Sequence, residues 1–313
     1  MNIYYISPVP VLLPRHEEVL KKLGTLKLIK AEKLSEEEVA RLVKDADIIA
    51  LARPAIAACT DNFFSRLPQL KLLTTVSTSH DWIDVEAAKK RAITVTNCKG
   101  ANARSVAEST WSLILALAKR TVEYAQNAKN KGAYKFKDYV GVELAGKTLG
   151  VIGLGDIGSE TAKIGLAFGM RVLGFNRSKK DIVGVQSVDL EALLKESDVI
   201  SIHVPLTDQT KHFIDKVKIE KMKDKVILVN TSDEAVVEKE AVIAAIEQKK
   251  IYGYAVETPL MTPLSPLDPY LTHSNIIAYP HNGFNTKEAN IHVKDTWVQN
   301  IVQFVAGKPQ NVV

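Results

Sequence analysis

Cysteine is scarce in this chain: Cys59 and Cys98 are the only two in 313 residues, and no C-x-x-C occurs. Two thiols at this length make no disulfide framework, so the disulfide-stapled secreted classes are excluded and a reducing, cytoplasmic setting is expected. Long apolar runs are missing too. No stretch approaches ~18 apolar residues free of charge, so no membrane span is expected. The opening Met1-Asn2-Ile3-Tyr4-Tyr5-Ile6 lacks a charged leader and reads as a first strand, not a signal. Charge of one sign does not accumulate either. The 41 basic and 36 acidic residues leave +5, mixed along the chain with no long basic block, which argues against a nucleic-acid partner. No H-x-x-x-H or Cys/His cluster has ligand spacing, so no metal is expected.

What is present is an ordinary globular composition, 46% hydrophobic and 25% charged, at a length that suggests two domains. Short apolar runs alternate with amphipathic ones from the start. Residues 3–6, 26–29, 47–51, 70–75 and 93–95 read as strands; 17–23, 35–44 and 85–90 read as helices, with Ser35 and Glu38 spaced as a capping box. This alternation predicts an open parallel sheet with helices on its faces. Residues 105–119 form a long helix that is apolar nearly all round, hence buried, between domains or between subunits. The segment 121–140 is polar and aromatic without a clear period. Strands at 148–152, 171–175, 198–204, 225–230, 251–256 and 275–278 follow, then an amphipathic helix over 286–306. Pro259, Pro263, Pro266 and Pro269 mark a rigid loop before the last strand.

The strongest local signal is Gly153-Leu154-Gly155-Asp156-Ile157-Gly158, at the end of an apolar strand and the start of a helical pattern. Gly153 permits a tight turn and Gly155 a close approach of backbone to a pyrophosphate. Gly158 permits close helix–strand packing, and the helix N-terminus offers free N–H groups to phosphate. This predicts a dinucleotide site. About 20 positions on, where NAD-binding units carry an acid for the ribose hydroxyls, stands Asn176, followed by Arg177 and Ser178. With no carboxylate to repel a 2′-phosphate and an arginine to hold one, NADP is preferred over NAD.

Over almost its whole length the chain resembles the D-isomer-specific 2-hydroxyacid dehydrogenases. The resemblance is carried by Ser79-His80-Asp81-Trp82-Ile83-Asp84, by Asn97 to Asn102 with Ser105-Val106-Ala107-Glu108, and by Val199 to Thr207. Leu228-Val229-Asn230-Thr231, Gly253-Tyr254-Ala255, Pro280-His281 and the closing Gly307-Lys308-Pro309-x-Asn311-Val312 add to it. It implies two doubly wound parallel-sheet α/β domains. Residues 1–101 with 282–313 would form a flavodoxin-like substrate domain, and 102–281 a Rossmann NAD(P)-binding domain, with the active site in the cleft between them. It implies a homodimer built on the 105–119 helix, and places Thr110, His203, Pro205, Thr210, Thr231 and Glu257 beside the cofactor, Glu257 on its carboxamide. Ser77, Thr78, Ser79, Arg53 and Lys99 fall near the substrate.

The family's reaction uses an arginine that clamps the substrate carboxylate, a histidine that moves the proton, and a glutamate that orients the histidine. His281 stands at the histidine position. Asp233, followed by Glu234, stands at the arginine position, and Thr262 at the glutamate position. A carboxylate ~4 Å from a substrate carboxylate, at an effective dielectric of ~20, is repelled by roughly 4 kcal/mol. Thr262 cannot stabilise imidazolium as a carboxylate does, so His281 is expected to be a weaker base. Three readings follow: a reductase of a non-standard carbonyl or imine, with Asp233 or Glu234 near a neutral or cationic group; a 2-hydroxyacid dehydrogenase whose clamp has moved to Arg53, Lys99 or Arg104; and a cofactor-binding sensor with little catalysis.

Overall fold

The computed structural model describes residues 1–131, 140–259 and 264–313. The chain divides into two compact units, one of residues 1–102 with 287–313, the other of residues 103–286. Each is an α/β unit around a fully parallel sheet.

The first unit holds β1 (Asn2–Ser7), β2 (Thr25–Lys30), β3 (Ile48–Leu51), β4 (Leu72–Thr75) and β5 (Thr94–Thr96), in the order β2-β1-β3-β4-β5. Alternation along the strands separates two apolar layers. Tyr4, Ile6, Ile49, Leu51, Leu73 and Val95 face one way. Ile3, Tyr5, Ile48, Ala50 and Leu72 face the other, where the C-terminal helix Lys287–Val305 covers them with Trp297, Val298 and Ile301. The Tyr5 and Trp297 rings lie 5.0 Å apart. The capping box is formed: Ser35 Oγ accepts from the Glu38 amide, and the Ser35 amide donates to Glu38 Oε2 at 2.8 Å.

The second unit holds β6 (Thr148–Ile152), β7 (Arg171–Phe175), β8 (Val185–Ser187), β9 (Val199–Ile202), β10 (Val226–Asn230), β11 (Ile251–Thr258) and β12 (Ile276–Pro280). Their order is β12-β11-β10-β9-β6-β7-β8. The order reverses beside β6, so the end of β6 is a switch point where an open parallel sheet can take a ligand.

Several elements differ from expectation: Asp61–Ser65 is a short helix, and Pro269 opens the helix Pro269–Thr272 instead of lying in a loop. Thr121–Lys131 is a helix despite its weak apolar period. Its first turn is fixed by polar contacts instead: Arg120 Nη2 donates to Glu123 Oε1 at 2.7 Å. The edge strand β8 is only three residues long and mostly exposed, so it carries no hydrophobic signature.

The long helix Ala103–Lys119 is covered by its own unit. Trp111, Ile114, Leu117 and Ala118 pack with Leu149, Val151, Val172, Val229 and Ala255. Trp111 stacks on Phe168 at 4.6 Å and donates its indole N–H to the Thr161 carbonyl at 3.0 Å. The apolar composition of this helix therefore needs no second subunit, and the expectation of a homodimer loses that support.

Candidate active site

The glycine turn follows β6 directly. Gly153 has φ +93°, and a Cβ there would lie 2.6 Å from the His203 carbonyl oxygen. A Cβ on Gly158 would lie 1.9 Å from the Gly153 carbonyl oxygen, so both positions exclude any side chain. Gly155 faces open space and begins the helix Asp156–Ala167, whose first-turn amides receive no side-chain cap. Asp156 and Ile157 open that helix. The turn thus presents bare backbone donors with room above them, which fits the pyrophosphate of a dinucleotide.

At the end of β7, Asn176 ties into the same turn. Its Oδ1 accepts from the Leu154 amide at 3.1 Å, and its Nδ2 donates to the Ser178 carbonyl at 2.8 Å. Lys180 donates to the Leu154 carbonyl at 2.6 Å, bringing an ammonium over the glycines. Arg177 and Ser178 are exposed beside it.

His203 closes the turn from β9. Its amide donates to the Ile152 carbonyl at 2.7 Å, and its Nε2 lies 2.8 Å from Ser201 Oγ. Burial pushes the imidazole down to about 3, so it is neutral, and its Nδ1 has no partner among the described residues. The Pro205–Thr210 loop is knitted by Thr210 Oγ1, which donates to the Pro205 carbonyl at 2.6 Å and accepts from the Thr207 amide at 2.7 Å. Thr110 and Thr231 are buried, and their hydroxyls meet at 2.8 Å. They join the long helix to the end of β10 rather than presenting free hydroxyls.

A cluster of ionisable side chains assembles at the ends of β10, β11 and β12. The parallel pairing of β11 with β12 sets Glu257 opposite Tyr279, and the His281 amide donates to the Thr258 carbonyl at 2.9 Å, continuing that ladder by one step. His281 Nδ1 then lies 2.9 Å from Glu257 Oε2. The carboxylate is buried while the imidazole is half-exposed. Asp233 follows β10. Its carbonyl accepts from Asn230 Nδ2 at 2.8 Å and its Oδ1 accepts from the Ala235 amide at 2.9 Å, so it caps the short turn Glu234–Val236. The Glu257 hydrogen bond holds His281 above the usual imidazole range against its partial burial, with Asp233 adding to the rise through space. Glu234 is half-buried with Lys239, Asp233 and Asp268 about it, and burial raises its carboxyl.

Expectation and structure differ here in one respect: His281 does not lack a carboxylate partner, because Glu257 supplies one. Thr262 lies outside the described residues. Glu257 Oε1 is buried with no hydrogen-bond partner among the described residues. His203 Nδ1, beside the glycine turn, is a second buried polar atom left unmatched among the described residues. That combination fits a polar dinucleotide better than an apolar ligand.

Four arginines belong to the second unit. Arg104 pairs with Glu108 and Glu160, Arg120 with Glu123, and Arg171 with Glu196. Arg177 stands beside the glycine turn. None of the ion pairs among the described residues joins a lysine or arginine to Asp233 or Glu257.

In the first unit, the loop after β4 uses its hydroxyls internally. Ser77 Oγ donates to the Ser79 carbonyl at 2.8 Å, Ser79 Oγ bonds Asp81, and the Thr78 carbonyl accepts from Asn97 Nδ2 at 2.8 Å. Arg53 lies 3.4 Å from Asp81, both exposed, and Lys99 is exposed.

Residues 111–283 match the family model of the D-isomer specific 2-hydroxyacid dehydrogenase NAD binding domain. A glyoxylate reductase of Aeropyrum pernix is 38% identical over 80% of this chain and 78% of its own length. A hydroxypyruvate reductase of Thermotoga maritima is 36% identical over 87% of this chain and 89% of its own. Among solved structures, an acyclic imino acid reductase in complex with NADPH and D-Arg is 27% identical with a TM-score of 0.88, each chain covered in full. The chain belongs to the D-isomer specific 2-hydroxyacid dehydrogenase family. It is an oxidoreductase whose second unit is the nicotinamide-nucleotide domain.

Proposed function

We propose that this chain is an NAD(P)H-dependent reductase of a non-standard carbonyl or imine, with an imine favoured. The observation that carries the reading is Asp233, an acid at the arginine position, adding negative potential at His281. A 2-oxo acid anion is repelled there. A C=N group protonates far more readily than C=O, and the cation so formed is attracted to Asp233. The arginines of the same unit support this reading, since three of the four are committed to glutamates. So does the likeness to an imino acid reductase.

When bound, the reduced nicotinamide supplies a hydride to the unsaturated carbon. His281 Nε2 gives the proton to the nitrogen, Glu257 holds the other face of the ring, and Asp233 stabilises positive charge at the C=N. The glycine turn, Asn176 and His203 hold and orient the nucleotide. NADP is the preferred cofactor, on Arg177, Ser178 and Lys180 about an Asn176 that carries no charge. A homodimer rests on the family resemblance alone, and a cytoplasmic setting on the two buried thiols.

A second reading, reduction of a 2-oxo acid with a relocated clamp, is favoured by the glyoxylate and hydroxypyruvate reductases among the relatives. An NADPH-oxidation screen over 2-oxo acids, ketones, aldehydes and cyclic imines separates the two. Turnover confined to imines and neutral carbonyls supports the first, and efficient turnover of simple 2-oxo acids supports the second. Tight NADPH binding with no turnover of any of them returns the sensor reading.

A further inference from the structure

Glu257 is buried to 3% exposure at the end of an interior strand, and a carboxylate so placed is stable only against a matching donor. Its position leaves little freedom. A Cβ on Gly283 would lie 2.4 Å from Glu257 Oε1 and 2.8 Å from Ser109 Oγ of the long helix, so the end of the carboxylate is packed against that glycine. The donor at hand is His281 Nδ1, 2.9 Å from Oε2. The family resemblance puts an aspartate at this strand end and the histidine's glutamate five residues later, where this chain has Thr262. Glutamate is one methylene longer than aspartate, and here that length is directed at the imidazole.

We propose that Glu257 is the positioning residue of His281, a strand-end carboxylate that has taken over from the position after the strand. It holds the ring with Nδ1 protonated and turns Nε2 outward. The inference rests on the reading of His281 as proton donor. Among the described residues two charged groups face the ring, Glu257 from β11 and Asp233 from the loop after β10, and both favour the imidazolium. Of the two, only Glu257 touches the ring. It therefore sets the tautomer of the neutral form as well as the charge. Replacement of an aspartate and loss of the glutamate are then one exchange, and the site keeps a carboxylate–imidazole pair with its anchor inside the sheet.

The test reads the imidazole and needs no substrate. Long-range 15N–1H spectra of the full-length protein with NADP⁺, with His281 identified by the loss of its signals in His281→Asn, give both tautomer and midpoint. Wild type should show the Nδ1–H tautomer above its midpoint, and Glu257→Gln should move the midpoint down towards the ordinary imidazole value. Glu257→Asp, which keeps the charge and withdraws it by one methylene, should fall between them. An Nε2–H tautomer in wild type overturns the proposal, and that arm needs no variant to fold. So does an unmoved midpoint in a Glu257→Gln protein that still binds NADP⁺. Absence of imine turnover would contradict the proposed function yet leave these spectra to decide the role of Glu257.

Discussion

Glu257 on β11 and His281, one residue past the end of the neighbouring β12, stand 2.9 Å apart, with the imidazole half in solvent and the carboxylate inside the sheet. A buried acid with a surface base is a directed arrangement. If His281 is the proton donor, its proton would be exchanged on the solvent side while the carboxylate paired with it stays inside the sheet.

The first prediction concerns pH. The pKa of His281 is raised in the folded protein, chiefly by Glu257. The stability gained from the protonated pair is therefore fully present below the ordinary imidazole value of 6.5 and is lost as pH rises through the raised one. Melting temperatures of wild type and His281→Gln should differ most at pH 6 and converge by pH 9 or so. In the reductive direction kcat should fall on the alkaline side. A gap that widens towards high pH would contradict this.

His203 gives the opposite sign. Burial lowers it from 6.5 to about 3, so the unfolded chain takes up a proton that the folded one refuses. Stability should decline as pH drops below about 6.5 and continue to do so towards about 3. Urea titrations at several acidic pH values check this, and His203→Gln should flatten the decline.

Two glycines should behave differently when given a methyl group. Gly158→Ala meets backbone, the Gly153 carbonyl at 1.9 Å, so turn and helix must part. It should be destabilised by ~3 kcal/mol and lose nucleotide affinity. Gly283→Ala meets the end of the Glu257 side chain instead, at 2.4 Å. It should fold with ~1 kcal/mol of loss but displace the carboxylate from His281, lowering kcat more than cofactor affinity. Chemical melts with fluorescence titration of NADPH separate the two cases.

Cofactor choice should depend on Arg177. NADPH should bind more tightly than NADH, and Arg177→Ala should narrow the difference with little effect on NADH. Equal affinities in wild type would remove the argument from Asn176.

Much of this architecture was legible in the chain. Apolar runs such as Ile48–Leu51 and Thr148–Ile152 are fully buried parallel strands, and such strands announce themselves by continuous hydrophobicity. The glycine turn was legible because Gly153 and Gly158 answer steric demands that no other residue meets, while Gly155 leaves the helix start open. The Thr121–Lys131 helix and β8 were not, because neither has a strong apolar face. In the site, His281 and Asp233 could be located from neighbouring motifs. The pairing of His281 with Glu257 could not, because it depends on register between β11 and β12 and on the space beside Gly283. A longer acid at the strand end, coupled with threonine at position 262, was the available signal. Lys180 was visible only as surface charge, and its reach back to Leu154 is a property of the folded loop.

If Asp233 turns the site away from 2-oxo acid anions and towards C=N, NADPH oxidation with pyruvate should respond to excess methylamine, which forms the imine in place. Wild type should consume NADPH at least ~10-fold faster with the amine, a difference of about 1.4 kcal/mol. Asp233→Asn should lose most of that gain. Asparagine keeps the Oδ1 acceptor for the Ala235 amide, so the variant removes charge without removing the cap. Turnover of pyruvate alone with kcat/KM of about 10⁴ M⁻¹s⁻¹ or more, unaffected by amine and by Asp233→Asn, would contradict the account and put the relocated clamp in its place.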